Sequence, residues 1–225
     1  MDAAGTDPAP NRAYIGRRDD LLALVASAPA NVLEVGCAQG ATGHWLKDKY
    51  GCAVTGVEID PSMAATARTR LDTVLIADLN RTSLDELLGS TQFDLILMGD
   101  VLEHLVDPWT ALRQARAHFA ERGRIVTSLP NVNHYTTILS LIFARRWPYR
   151  SRGIHDRTHL RFFTRKNLVD MYAEAELTIE REHRNLRIFE RPVGFNNVAR
   201  IFDFHPFRSY MTYQYLHRLR AVTRA

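Results

Sequence analysis

Cysteine is scarce: Cys37 and Cys52 are the only two in 225 residues. Two thiols cannot build the disulfide framework of a small secreted domain, and the count fits a reduced, cytoplasmic location. Long apolar runs are missing too; no stretch approaches the roughly 18 residues of a membrane span. Met1 to Asn11 carries Ala, Pro and Gly around no hydrophobic core, so residues 1–11 read as a disordered tail rather than a signal peptide. Internal repeats, low-complexity segments and lysine tracts are absent, and no RNA-binding motif points to nucleic acid. The length suits one sizeable α/β domain over residues 12–225 and is too short for two.

Charge is present but uneven. From Arg145 onward there are 17 Lys and Arg against 8 Asp and Glu, a balance of +9. The whole chain carries +4, so the part before Arg145 carries −5. A basic second half favours a negatively charged small-molecule partner. An arginine-rich solvated surface gives the same composition, and both readings stand.

The most telling stretch is Val32 to Gly43. Val32 to Val35 reads as a short buried strand, and glycines then open a loop into a helix. Such a loop lets the backbone approach a nucleotide-like ligand, and the helix start offers unpaired N–H groups. The dinucleotide fingerprint Gly-x-Gly-x-x-Gly is not met, because three residues separate Gly36 from Gly40. A second strand, Ala53 to Val57, delivers Glu58 22 residues after Gly36, where a carboxylate can read ribose hydroxyls. Asp60 followed by Pro61 reads as a helix N-cap. Val74 to Asp78 is a third strand ending in an acid, and Phe93 to Met98 is an apolar run suited to a central strand buried on both faces. Gly99-Asp100-Val101-Leu102-Glu103-His104-Leu105 follows it. Strands and helices alternate, which implies a parallel sheet with helices on both faces and ligand-binding groups at its carboxyl edge.

These motifs resemble those of class I S-adenosylmethionine-dependent methyltransferases. The resemblance implies a Rossmann-like, mostly parallel sheet of seven strands, the last antiparallel beside the sixth. It implies S-adenosyl-L-methionine as cofactor, its methionine end held by Glu34, Gly36, Cys37, Ala38 and Gly40 and lined by Asp100 and Leu102. Glu58 would take the ribose hydroxyls and Ile59 the adenine face. Asp78 would take the adenine amino group, with Leu79 beside it. An N-terminal helix within Asn11 to Ala28 would bring Tyr14 and Arg17 over the cofactor. A nicotinamide-dependent oxidoreductase and a non-catalytic cofactor-binding protein are the competing classes.

The alternation breaks at Pro130. Residues 130–163 form an insertion after the fifth strand, at the edge where the cofactor should sit, and long connections of this kind serve as lids or binding loops. The insertion holds an apolar helix, Thr136 to Phe143, next to Arg145 and Arg146. A lid helix is the first reading and a membrane-surface contact the alternative. Pro130-Asn131-x-x-His134 and Asp156-Arg157-Thr158-His159-Leu160-Arg161-Phe162-Phe163-Thr164 resemble a bacterial methyltransferase subgroup linked to surface glycans and glycosyltransferase pathways. His155 departs from the aliphatic residue that this pattern carries.

Methyl transfer to a hydroxyl needs an aligned acceptor and a group to remove its proton. His159 is the expected base, with Asp156 orienting it and His104 as the second candidate; His134 and His155 complete the set of histidines near the site. Tyr135, Trp147 and Tyr149 are candidate aromatic walls. The acceptor reads as a small molecule, a sugar or sugar-linked intermediate, with a natural-product or quinone-like scaffold as the alternative. Asp100 to His104 also resembles the Glu-x-x-Glu-His segment of magnesium-binding quinone O-methyltransferases. Its first acid is shorter, histidine is an uncommon magnesium ligand, and no metal is expected.

Overall fold

A computed structural model describes residues 15–189 and 194–222. Tyr14, expected near the cofactor, lies outside the described residues. Seven strands form one sheet in the order β3-β2-β1-β4-β5-β7-β6. They are β1 (Asn31–Val35), β2 (Ala53–Glu58), β3 (Thr73–Ile76), β4 (Phe93–Gly99), β5 (Phe119–Pro130), β6 (Leu177–Leu186) and β7 (Thr212–Ala221). β1 to β5 pair in parallel, and β7 runs antiparallel between β5 and β6. The strand order turns back between β1 and β4, so their carboxyl tips frame the crevice where ligands bind in open α/β sheets.

The central strands are apolar on successive residues because helices cover both faces. Leu33, Val35, Ile96 and Met98 point into one core, while Val32, Leu95 and Leu97 point into the other. The first core holds residues of α4 (Leu84–Leu88), α5 (Pro108–Ala117) and α7 (Arg165–Glu174). The second holds residues of α1 (Asp19–Leu22), α2 (Ala41–Tyr50) and α3 (Pro61–Ala67).

The local signals explain where several elements start. Asp60 caps α3 by accepting from Ser62 N at 2.7 Å and Met63 N at 3.0 Å, with Pro61 at the first helical position. Thr164 and Asn167 form a capping box on α7.

Two elements differ from expectation. Among the described residues the N-terminal helix is only the four residues of α1, and the Arg18 guanidinium at its cap bonds Asp20 and, beyond the β4 tip, Asp100. The last strand begins at Thr212, not Tyr210. Thr212 to His217 are all buried rather than alternating, since β7 sits inside the sheet with both faces covered. The connection from β5 to α7 contains α6 (Tyr135–Phe143), whose only buried residue is Thr137. Among the described residues no helix is long and apolar enough to cross a membrane.

Candidate active site

The turn after β1 is held by backbone bonds to β2. Val57 O accepts from Gly36 N at 2.8 Å and from Cys37 N at 3.1 Å. Gly36 has φ +68, and a Cβ there would lie 2.7 Å from Val101 Cγ2. Glycine therefore lets the β1 and β4 tips approach each other. Gly40, at φ +74, heads α2. Glu58 then locks the loop: Oε2 accepts from Ala38 N at 2.8 Å, and Oε1 accepts from Ile59 N and Asp60 N, both at 2.9 Å. A carboxylate has about four acceptor positions, so the loop itself takes most of Glu58. The ribose hydroxyls expected at Glu58 would share its carboxylate with these three N–H groups. Ile59 is 61 % exposed at the same edge, a large apolar side chain with a free face. Asp78, two residues beyond β3, accepts from Asn80 N at 2.9 Å and lies 3.5 Å from Arg81 Nε.

Four expected cofactor ligands turn inward. The Glu34 carboxyl is buried and accepts from Gly43 N at 2.9 Å inside the first turn of α2. Cys37 is buried against Gly56, and burial pushes its thiol up, so it stays protonated. Leu102 lies wholly in the core and can meet a ligand only through its main chain. The carboxylate of Asp100, at φ +56, accepts from Arg18 Nη1 at 2.6 Å, from Ser128 Oγ at 2.8 Å and from Gln214 Nε2. That network ties α1, β4, β5 and β7 together.

Beside it, a 3₁₀ turn at Leu102–His104 meets the segment before α7. Glu103 O accepts from Leu160 N at 2.8 Å and Arg161 N at 3.0 Å, which brings the His104 and His159 rings edge to face at 4.8 Å between centroids. His159 Nδ1 lies 3.3 Å from Ile154 O. A neutral ring that donates there keeps the Nε2 lone pair free. Burial, then the neighbouring His104 charge, lowers the His159 pKa to about 4, against the pull of Asp156. Asp156 does not orient the ring through a hydrogen bond. Its Oδ1 accepts from Thr158 N and Oγ1, at 2.9 and 2.7 Å. The ring nitrogen on that side faces the Ile154 carbonyl instead.

The other two histidines have partners in and around the insertion. His134 bonds Thr136 Oγ1 and Arg187 O, and His155 bonds Thr137 Oγ1 beside Trp147. The polar partner for His155 explains why an imidazole is tolerated at an aliphatic position.

Over residues 10–182 the chain matches a family described as a methyltransferase domain. The chain belongs to this methyltransferase family. The family and its fold use S-adenosylmethionine as methyl donor. Among curated proteins, the ubiquinone biosynthesis O-methyltransferase of Bradyrhizobium diazoefficiens is 30 % identical over 152 residues, 66 % of this chain and 58 % of its own length. The Coxiella burnetii protein of the same name is 27 % identical over 149 residues, 64 % of this chain and 62 % of its own. The chain thus spans about three fifths of these relatives. The surface-glycan subgroup is not represented in their names. The fold matches an S-adenosylmethionine-dependent methyltransferase from Thermotoga maritima with TM-score 0.64 at 18 % identity, covering 92 % of this chain and 88 % of that one. A Mesorhizobium loti counterpart gives 0.62 at 16 % identity, covering 90 % and 96 %.

One residue in the Leu102–His104 turn carries a feature that sequence reasoning missed. Glu103 is 1 % exposed, and its Oε2 has no hydrogen-bond partner among the described residues. Burial, then the Asp100 charge, raises its pKa well above the carboxylate range. The signal was visible in its place next to His104, but Glu103 was weighed there only as a metal ligand. Glu103, His104 and His159 each place one ligand atom within 4.8 Å of the others. One oxygen and two imidazole nitrogens do not make the oxygen shell magnesium requires, and Asp100 is already committed. The residues do not fit magnesium.

Glu34 makes the methyltransferase fold pH-sensitive. Burial raises its pKa from 4.5 to about 8, against the Gly43 N–H and the Thr42 hydroxyl, which favour the anion. The folded chain therefore keeps a proton that the unfolded chain releases above pH 4.5. Its contribution to stability is complete below about pH 4.5, falls as pH rises towards about 8, and is level beyond. The full swing is on the order of 5 kcal/mol. Urea unfolding between pH 5 and 8 is expected to show wild type losing stability and Glu34→Gln losing markedly less.

Proposed function

We propose that this chain transfers a methyl group from S-adenosylmethionine to a hydroxyl of a small acceptor, with His159 as general base. The observation that carries this reading is the Nε2 lone pair of a buried, neutral His159 beside the turn that follows the β4 tip. The residues at the crevice fit the cofactor: a loop without a Cβ at Gly36, an uncovered Ile59, and the acids Glu58 and Asp78 at two strand tips.

When bound, S-adenosylmethionine would supply an electrophilic methyl on a sulfonium whose sulfur would keep the bonding pair as the acceptor oxygen takes the methyl. His159 Nε2 takes the hydroxyl proton. His104, edge-on to it, helps fix the ring. Glu103, held neutral by burial, keeps a formal negative charge away from the unprotonated imidazole.

A cavity of about 960 Å³ opens at the carboxyl end of β6, lined by Arg184, Arg187 and Arg200. Asp20 on its wall bonds Arg18, which bonds Asp100, so the cavity adjoins the crevice. Its acids are matched by neighbours, Asp20 by Arg18, Glu182 by Arg165 and by Arg184 itself, and Asp203 by Arg208, so positive charge is in surplus around the cavity. This supports an acceptor with an anionic group. The relatives' names favour a quinone-like ring. The resemblance of the Asp156 to Thr164 motif to a glycan-linked subgroup favours a sugar or sugar-linked acceptor.

The deciding test is calorimetric titration with S-adenosylhomocysteine, beside NAD. Wild type is expected to bind the former and ignore the latter. Glu58→Ala should lose about 1.5–3 kcal/mol, roughly ten- to hundredfold in affinity. Binding of NAD alone would refute the reading.

A further inference from the structure

The β5–α7 connection presents a surface that neither the fold nor the crevice uses. α6 leans on the rest of the protein through its first turn, where Tyr135 Oη donates to Ile188 O at 2.6 Å and Thr137 meets His155. Beyond that turn its apolar side chains face outward: Leu139, Leu141, Ile142 and Phe143 are exposed, the last two at 61 % and 78 %. Tyr149 is 69 % exposed just beyond. Trp147 packs edge-on to Phe162 at 4.8 Å between centroids, and Phe162 is exposed too, so the apolar area continues into the segment before α7. A helix roofing a pocket would bury this side.

The charge around this patch has one sign. No Asp or Glu occurs between Glu121 and Asp156, while Arg145, Arg146, Arg150 and Arg152 follow the helix directly, all exposed. Large exposed apolar side chains followed directly by exposed arginines, with no acid in the same stretch of chain, match a lipid interface: the side chains enter the acyl boundary and the guanidiniums meet anionic headgroups. A second copy of this chain would set these arginines against their own kind. A water-soluble lid partner offers no reason for so much exposed hydrocarbon.

We infer that α6 and the arginines after it dock this protein on the surface of an anionic membrane. The docked segment runs directly into the stretch that carries His159, so a membrane-held acceptor would reach the crevice from that side. The inference rests on α6 and not on the catalytic reading, and the two can fail separately.

Co-sedimentation of the full chain with vesicles tests it. One set is pure phosphatidylcholine; the other carries about one part in three phosphatidylglycerol. Binding is expected to be on the order of tenfold stronger to the anionic set and to weaken as salt rises. Phe143→Ser with Ile142→Ser, and separately Arg145→Gln with Arg146→Gln, should each reduce binding by about tenfold. S-adenosylhomocysteine affinity and thermal unfolding report that each variant is folded, and both should match wild type. Equal binding to the two vesicle sets, no binding to either, or variants that bind as well as wild type would overturn the inference. So would a wild-type dimer, seen by sedimentation velocity, that Phe143→Ser dissociates.

Discussion

His159→Ala is expected to lower the rate of methyl transfer by about 10²–10⁴-fold, the usual range for a lost general base, while S-adenosylhomocysteine affinity stays within error of wild type. The ring is buried and bonded to Ile154 O, so the alanine variant also opens a small cavity. His159→Asn controls for this by filling part of the space and keeping an N–H for the carbonyl, yet it offers no base; its turnover should fall as far. The pH profile separates a catalytic role from a structural one. With a pKa lowered to about 4 by burial, His159 is unprotonated well below neutrality. The rate should hold as pH falls from 7 to about 5 and drop only near 4, whereas an ordinary histidine would lose its basic form near ~6.5. Single-turnover rates over that range are the measurement. Unchanged turnover in His159→Asn would remove the base and leave His104 as the remaining candidate. A rate that halves near pH 6.5 would show that another group titrates.

Much of this site was legible because local chemistry and global fold agree. Asp60 before Pro61 announced a cap and is one. The apolar run Phe93 to Met98 announced a strand covered on both faces, and its residues divide between the two cores. Acids placed by spacing at the tips of β2, β3 and β4 are indeed there. Sequence could not say which backbone groups compete for them. Glu58 answers three N–H groups of its own loop, Asp100 answers Arg18 from a helix 82 residues away, and Glu34 answers α2. The Asp156 assignment failed for the same reason, since a carboxylate two residues before a threonine is captured locally at Thr158 before it can reach His159. Glu103 was overlooked because its meaning depends on burial, which arises only when Leu160 and Arg161 bond its carbonyl and close the segment over it.

Gly36→Ala is the second large effect, and it should damage stability and chemistry together. An alanine at φ +68 carries the left-handed penalty of about 1–2 kcal/mol. Its Cβ would also lie 2.7 Å from Val101 Cγ2, an overpacked contact that costs about 1–3 kcal/mol. Together these amount to about 2–5 kcal/mol, or roughly 4–20 °C in Tm for a domain of this size. Gly51→Ala isolates the contact: its φ is +67, but nothing lies within 4 Å of the added atom, so it should show the conformational part alone. The excess in Gly36→Ala then measures how tightly the β1 and β4 tips are pressed together. Relief has to come from Val101, which precedes the turn carrying Glu103 and His104. A shift of about 1 Å at such a turn costs on the order of 10²-fold in rate. Gly36→Ala should therefore lose turnover and cofactor affinity even at temperatures where it stays folded. Gly51→Ala should keep both. Equal losses in the two variants would mean that the tips are not in contact and that the loop's glycine serves conformation alone.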